Sequence, residues 1–221
     1  MSSGTSPAYS IETERTVLRC WQPQDAELLL RSTSESIDHL REWMPWASAE
    51  PSTVEEKVAL LRRWRAAFDL DQEYIYGIFS PNENAVLGGT GLHKRLTGEA
   101  LEIGYWIHVE QVNRGLATET TAALTRIAFE VHNVDRVEIH CDPKNVRSAA
   151  IPRKLGFELE ATLGRRAVGT DGSSRDVMIW TLFRDAFSGT PAADAPIRAF
   201  DVVGSEIPFP ATRDATCAES L

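Results

Sequence analysis

The chain has 221 residues, 43% of them hydrophobic and 25% charged, with six Trp, four Tyr and eight Phe. That composition can bury one sizeable core and excludes a disordered or fibrous chain. Thirty-two acidic residues against 23 basic give a formal charge of −9, a balance that repels phosphate backbones and anionic lipid surfaces, so neither nucleic acid nor membrane is expected as a partner. The dense basic runs, Arg62-Arg63-Trp64-Arg65 and Arg165-Arg166, read as solvated surface, the first as one face of a helix. Residues 1–10 lack the basic and apolar regions of a signal peptide, and no stretch approaches the ~20 apolar residues of a membrane span. A cytoplasmic location is expected. Cys20, Cys141 and Cys217 are odd in number and far apart, and the five histidines show no ligand spacing, so neither a disulfide framework nor a metal site is expected.

Residues 16–21 (TVLRCW) read as a short strand, followed by a helix over 24–34 with Ala26, Leu29 and Leu30 apolar and a second short helix over 36–43. Ser52-Thr53-Val54-Glu55 has capping-box spacing and opens a helix on which Val54, Val58, Leu61, Trp64 and Phe68 share a face. Residues 74–79, 85–92 and 100–109 are predicted strands separated by the turn signals Pro81-Asn82 and Thr97-Gly98, which gives an antiparallel meander. A helix over 117–132 presents Ala117, Thr121, Leu124, Ala128 and Val131 to the core. An alternating strand at 136–141 follows, then a helix over 147–155 stopped by Gly156. Strands over 157–167 and 175–183 flank a turn at 169–174 and close a hairpin.

Beyond Arg184 the composition shifts toward Pro, Ala, Ser and Thr. The predicted organisation is a polar leader at 1–10, an α/β domain at 11–184 with about seven strands, and an arm at 185–221. Ile197, Phe200, Val202, Val203, Ile207 and Phe209 are many apolar groups for a free linker. Residues 197–209 are therefore predicted to pack, on their own domain or on a second subunit of a homodimer, with the rest of the arm less ordered.

The chemically informative stretch is Val109 to Glu119, VEQVNRGLATE, where a strand passes through a Gly-containing turn into a helix. Unpaired N–H groups and the positive end of the helix dipole then converge on one point, which suits an anion such as a pyrophosphate; an ordinary turn is the alternative. Gly115 permits close backbone approach and Arg114 adds a charge. Asn145-Val146-Arg147-Ser148, followed by Lys154-Leu155-Gly156-Phe157, begins another helix at the same edge of the sheet. Together these segments resemble the GCN5-related N-acetyltransferase (GNAT) superfamily. Thr16-Val17-Leu18-Arg19, Trp43-Met44-Pro45-Trp46, Ile103-Gly104-Tyr105-Trp106 and Gly115-Leu116-Ala117-Thr118-Glu119 narrow the resemblance to the RimJ/RimL-like branch of ribosomal-protein alanine N-acetyltransferases. It covers about residues 11 to 184.

The resemblance implies a GNAT fold, a central mixed, mostly antiparallel sheet flanked by helices and splayed in the middle to hold coenzyme A. The family's phosphate loop falls on Val112, Asn113, Arg114, Gly115, Leu116 and Ala117, with Thr118 next; Val112 stands where the family has Gln or Arg. Asn145 is expected to contact the pantetheine, with helix capping as the alternative, and Ser148 to lie beside the thioester sulfur. The strand over 100–109 corresponds to the splayed strand that pairs with pantetheine, with a backbone N–H at its end, near His108 and Val109, polarising the thioester carbonyl. Alternation puts Glu102, Gly104, Trp106 and His108 on one face, which makes Glu102 the candidate general base or else a salt-bridged structural glutamate. Trp43, Trp46 and Tyr105 are expected on the acceptor side, with core packing as the alternative for the tryptophans.

Some members of the branch place a catalytic Glu about ten residues after the K-L-G-F segment, where this chain has Arg166-Ala167. A weakly equipped base favours an amine that is already partly neutral. An α-amine of pKa ~8 is about a tenth unprotonated at pH 7, against about 0.04% for a lysine near 10.4. The implied function is acyl-coenzyme-A-dependent N-acyltransfer, most simply of acetyl from acetyl-coenzyme A to a primary amine such as a protein N-terminus, without a metal. A small-amine or antibiotic acceptor, a succinyl donor, and a catalytically silent acyl-coenzyme-A-binding module are the alternatives.

Overall fold

Residues 6–50 and 52–209 are described by the computed structural model. Cys217 and the end of the predicted arm lie outside them. The strands are β1 (Ser10–Glu12), β2 (Val17–Cys20), β3 (Glu73–Phe79), β4 (Val86–His93), β5 (Ala100–Ile107), β6 (Arg136–Cys141), β7 (Glu158–Val168), β8 (Ser174–Phe183) and β9 (Arg198–Phe200). The helices are α1 (Ala26–Glu35), α2 (Ile37–Arg41), α3 (Val54–Asp69), α4 (Leu116–Glu130), α5 (Val146–Lys154) and α6 (Arg184–Phe187). The strands form one sheet in the order β7-β8-β6-β5-β4-β3-β2-β1-β9. Every neighbouring pair is antiparallel except β5 with β6, which the crossover helix α4 connects in parallel.

Strand alternation sorts the core onto two faces. Tyr74, Tyr76 and Ile78 of β3, Leu101, Ile103 and Ile107 of β5, and Val137, Ile139 and Cys141 of β6 join a core built on Leu124, Ile127 and Ala128 of α4 and Ala149 of α5. On the other face Trp21, Phe79 and Val86 pack with Leu29 of α1 and Leu61 of α3. The even-numbered residues of β5 and β6, Glu102 and Trp106 with Glu138 and His140, belong to this second face. There α1 and α3 pack on β4 and β3, and the polar rows of β5 and β6 border a cavity.

Nine strands replace the expected seven because β1 and β9 extend the edge beyond β2. Both are only three residues long, too short to show alternation: β1 pairs with β2, Ile11 opposing Leu18, and β9 adds to the free side of β1, where Ser10 opposes Phe200 and Ile11 opposes Ala199. The segment predicted to pack does so on its own domain. Ala199 is fully buried, Ile207 is buried, Ile197 and Phe209 lie against the core, and Val202 and Val203 stand exposed at a turn. The capping box of α3 lies one residue later than expected: Glu56 N donates to Thr53 Oγ1 (3.2 Å) and Thr53 N to Glu56 Oε2 (2.8 Å). Ser52 is held instead by the Glu50 carboxylate, through its N–H (3.0 Å) and hydroxyl (2.9 Å).

Candidate active site

Along β5 the ladder to β4 runs from Glu102↔His93 to Ile107↔Gly88, whereas the ladder to β6 covers only Ala100, Leu101 and Glu102. From Ile103 onward β5 and β6 diverge, as the splayed strand of the resemblance requires. His108 N donates to Leu87 O (2.8 Å), so the even-numbered residues of β5 bond to β4. The alternation then turns the N–H groups of Tyr105 and Ile107 toward the gap.

The turn after β5 brings a second set of free donors to this gap. Asn113 (φ +63°) and Gly115 (φ +81°) are left-handed, and Gly115 is the N-cap of α4 with no side chain to cap it. The N–H groups of the first turn, Leu116 to Thr118, are thus without helical partners. Glu119, one residue on, is tied to the β1–β2 turn by Thr13 Oγ1 (2.6 Å), Arg15 N (3.0 Å) and Arg15 Nε (2.7 Å), and Arg15 Nη1 donates to Arg114 O (2.8 Å). These contacts fix the turn and neutralise a carboxylate that would repel an anion there. Across the gap Asn145 caps α5, its Oδ1 accepting from Ser148 N (3.0 Å). The two helix N-termini flank a cavity of about 550 Å³, lined by Val112, Asn113, Gly115, Leu116, Ala117 and Thr118 on one side and Asn145 and Ser148 on the other. Lys144, Arg147 and Lys154 give it positive charge.

A second cavity of about 800 Å³ opens on the α1/α3 face, walled by Trp21, Trp43, Trp46, Trp64, Tyr76 and Trp106. Trp46 meets Trp106 edge to face at 6.1 Å. A Cβ at Gly89 would overlap the Trp106 indole, so the glycine lets that ring lie against β4. Lys57 is almost wholly buried in this wall and ion-paired with Glu50. Burial raises the Glu50 carboxyl, but hydrogen bonds from Lys57 and Ser52 outweigh it and hold the group below its ordinary range. Trp43, Met44, Tyr105, Trp106, Asn145 and Ser148 border both cavities. At this junction Tyr105 Oη and Ser148 Oγ are 3.0 Å apart. Burial pushes the Tyr105 phenol well above its ordinary range against the opposing hydrogen bond from Ser148, which keeps it protonated.

Glu102 lines the larger cavity, its Oε2 3.9 Å from His140 Nδ1 and its Oε1 3.7 Å from Arg95 Nη1. His140 Nε2 bonds Glu138 Oε2 (2.7 Å), and Arg136 Nε donates to Glu138 Oε1 (2.8 Å). Burial raises the Glu138 carboxyl, and its bonds from Arg136 and His140 more than reverse that.

Most residues singled out from the sequence meet here, but three do not. Arg114, His108 and Val109 border neither cavity. The His108 ring is buried, with Nε2 2.9 Å from Glu35 Oε2 and Nδ1 accepting from Glu110 N (3.2 Å). Val109 N, expected to face the thioester, donates to Ser36 Oγ (3.0 Å). The strand ends at Ile107 and turns toward α2, so Tyr105 and Ile107 supply the free strand amides instead. His140, Glu138, Lys144, Arg147 and Lys154 are additions the sequence reading missed. For the first two the signal was present: Glu138 and His140 share a strand face, and only the β5–β6 register sets that face beside Glu102. Among the described residues no group of three or more His, Cys, Asp or Glu is placed to hold a metal ion, and no helix is long and apolar enough to cross a membrane.

Residues 15–158 match the Acetyltransferase (GNAT) domain family, well over half of the chain. The chain belongs to the GNAT family. It is therefore an N-acetyltransferase whose donor is acetyl-coenzyme A. Among curated relatives, YdaF of Bacillus subtilis, named as a ribosomal N-acetyltransferase, is 25% identical over 181 residues, covering 80% of this chain and 95% of that one. The ribosomal protein uS5-alanine N-acetyltransferase of Escherichia coli is 24% identical, covering 80% and 91%. The fold matches RimL, a ribosomal L7/L12 α-N-protein acetyltransferase solved with coenzyme A, at a TM-score of 0.72 and 20% identity over 79% of this chain and 97% of that one. The splay, the uncapped start of α4 and the basic wall of the smaller cavity suit a GNAT donor: an extended amide arm, a pyrophosphate and a negatively charged nucleotide respectively.

Proposed function

We propose that this enzyme acetylates the α-amine of a protein N-terminus in the cytoplasm. The observation that carries this reading is the meeting of two cavities at Tyr105 and Ser148, one basic and bordered by helix N-termini, the other walled by aromatic rings. The Leu116–Thr118 amides hold the pyrophosphate, with Val112, Asn113 and Gly115 shaping the loop around it. Asn145 and the free edge of β5 align the pantetheine, and the Tyr105 and Ile107 amides polarise the thioester carbonyl. The acceptor enters past Trp43 and Trp46, and the carboxylate of Glu102 draws its ammonium group to the junction and serves its deprotonation. As the new amide forms, Ser148, hydrogen-bonded to Tyr105, delivers a proton to the departing thiolate.

The ribosomal substrates named for the relatives support a protein N-terminus as acceptor. The five tryptophans around the larger cavity favour a second reading, a small amine with a bulky apolar body. A donor-by-acceptor screen by mass spectrometry separates them: N-terminally acetylated peptides support the first, an acetylated small amine alone supports the second. Slow thioester loss independent of any acceptor would reject both in favour of a silent coenzyme-binding module.

A further inference from the structure

Resting on that reading, we propose that His140 is the group that takes the proton from the acceptor amine, with Glu138 as its positioning residue. Alternation along β5 singles out Glu102 as candidate base, and the spacing of the histidines gives His140 no role. The fold gives His140 different company. In the β5–β6 ladder Glu102 stands beside Glu138, and His140 follows Glu138 on the same face at the point where the strands part. Glu138 bonds Nε2 at 2.7 Å, while Nδ1 faces Glu102 Oε2 at 3.9 Å, both groups lining the larger cavity.

This arrangement selects one tautomer. Glu138 is held ionised by Arg136 and accepts the Nε2–H, so Nδ1 carries the lone pair. The gap of 3.9 Å between Nδ1 and Glu102 is too long for a direct hydrogen bond and suits a bridging ammonium or water that touches both. Glu102 then attracts the cation and Nδ1 removes its proton. The nitrogen lone pair forms the N–C bond to the acyl carbon as the C–S bond breaks. The second amine proton passes through Ser148 to the sulfur, and His140, with 27% of its side chain exposed, releases the first to solvent. The charged groups on this side of the imidazole include Glu138 and, behind it, Arg136 on β6, Glu102 with Arg95 from the β5 side, and Asp142, two residues on, paired with Arg175. From β8, Ile179 lies opposite His140 and Val177 and Thr181 flank it, none of them titratable.

The assignment is tested by two measurements on the full-length enzyme. Nitrogen-15 spectra of histidine-labelled protein should show the neutral form of the His140 ring with its proton on Nε2, and Glu138→Leu should lose that preference. Thiol release from acetyl-coenzyme A, with peptides beginning in alanine or serine and with phenethylamine as acceptors, should fall roughly 10²- to 10⁴-fold in kcat for His140→Gln. Calorimetric affinity for acetyl-coenzyme A should not change, and the acidic limb of the kcat–pH profile should vanish in that variant. A wild type that turns over while His140→Gln keeps its kcat and that limb, or a neutral ring protonated on Nδ1, overturns the assignment alone. A wild type with no acceptor-dependent thiol release overturns the acyltransfer reading and the base with it.

Discussion

Replacing Gly115 by alanine adds one methyl group at the N-cap of α4, where φ is +81°. The new Cβ would meet Arg15 Nη2 at 3.4 Å, an ordinary contact, so the cost comes from the backbone and not from overlap. Holding a residue with a side chain in the left-handed region costs about 1–2 kcal/mol. The turn either bears that strain or relaxes to negative φ, which swings the Leu116–Thr118 amides away from the cavity. Gly115→Asn separates strain from obstruction, because asparagine tolerates this region but places a larger side chain before the amides. Gly115→Ala should lose about 1–2 kcal/mol in urea unfolding and bind acetyl-coenzyme A about 5- to 30-fold more weakly by calorimetry. Gly115→Asn should keep more of the stability and still bind weakly. Wild-type affinity in Gly115→Asn would refute the assignment of these amides to the pyrophosphate.

Three further outcomes follow from the packing and the junction. His132, with Nε2 buried and unpartnered and its ring 4.3 Å from that of Tyr74, has its pKa lowered by burial, and secondarily by Lys94, from 6.5 to about 4. Because the folded value lies below the unfolded one, the unfolded chain binds more protons between those limits, and stability falls as pH drops through that window by up to about 3 kcal/mol. His132→Phe should remove that part of the slope in urea unfolding, and an identical slope in the variant would refute it. Ser148→Ala should lower kcat roughly 10²-fold or more while leaving acetyl-coenzyme A affinity within a factor of a few, since its hydroxyl serves the leaving group; equal losses in both would place it in binding instead. Truncation after Phe187 removes β9, the buried Ala192, Ala199 and Ile207, and the Ala195 carbonyl that Arg126 Nη1 bonds at 2.9 Å. It should lower Tm by several degrees without changing the number of subunits by light scattering, and unchanged melting would show the segment to be passive.

Much of this molecule is written in short windows of sequence. The helices over 54–69 and 116–130 follow from apolar spacing, and the strands of the meander from alternation between turn signals. Gly115 was legible because only a glycine readily takes a left-handed position ahead of a helix. Asn145 was legible as a cap for the same kind of local reason. Each depends on backbone geometry and on neighbours within a turn or two, which the order of residues sets directly. What the tertiary structure alone decided depends on partners far along the chain. Strands β1 and β9 have too few residues to carry a pattern; β1 forms against β2, and the edge strand β9 forms only against β1 from the far end of the chain. Val109 N lost its expected role to a contact with Ser36, more than seventy residues earlier. His140 gained one because the β5–β6 register, ending at Glu102, sets it beside a carboxylate on a different strand. Register is a cooperative result of packing two whole faces of the sheet, and no window of residues within either strand contains it.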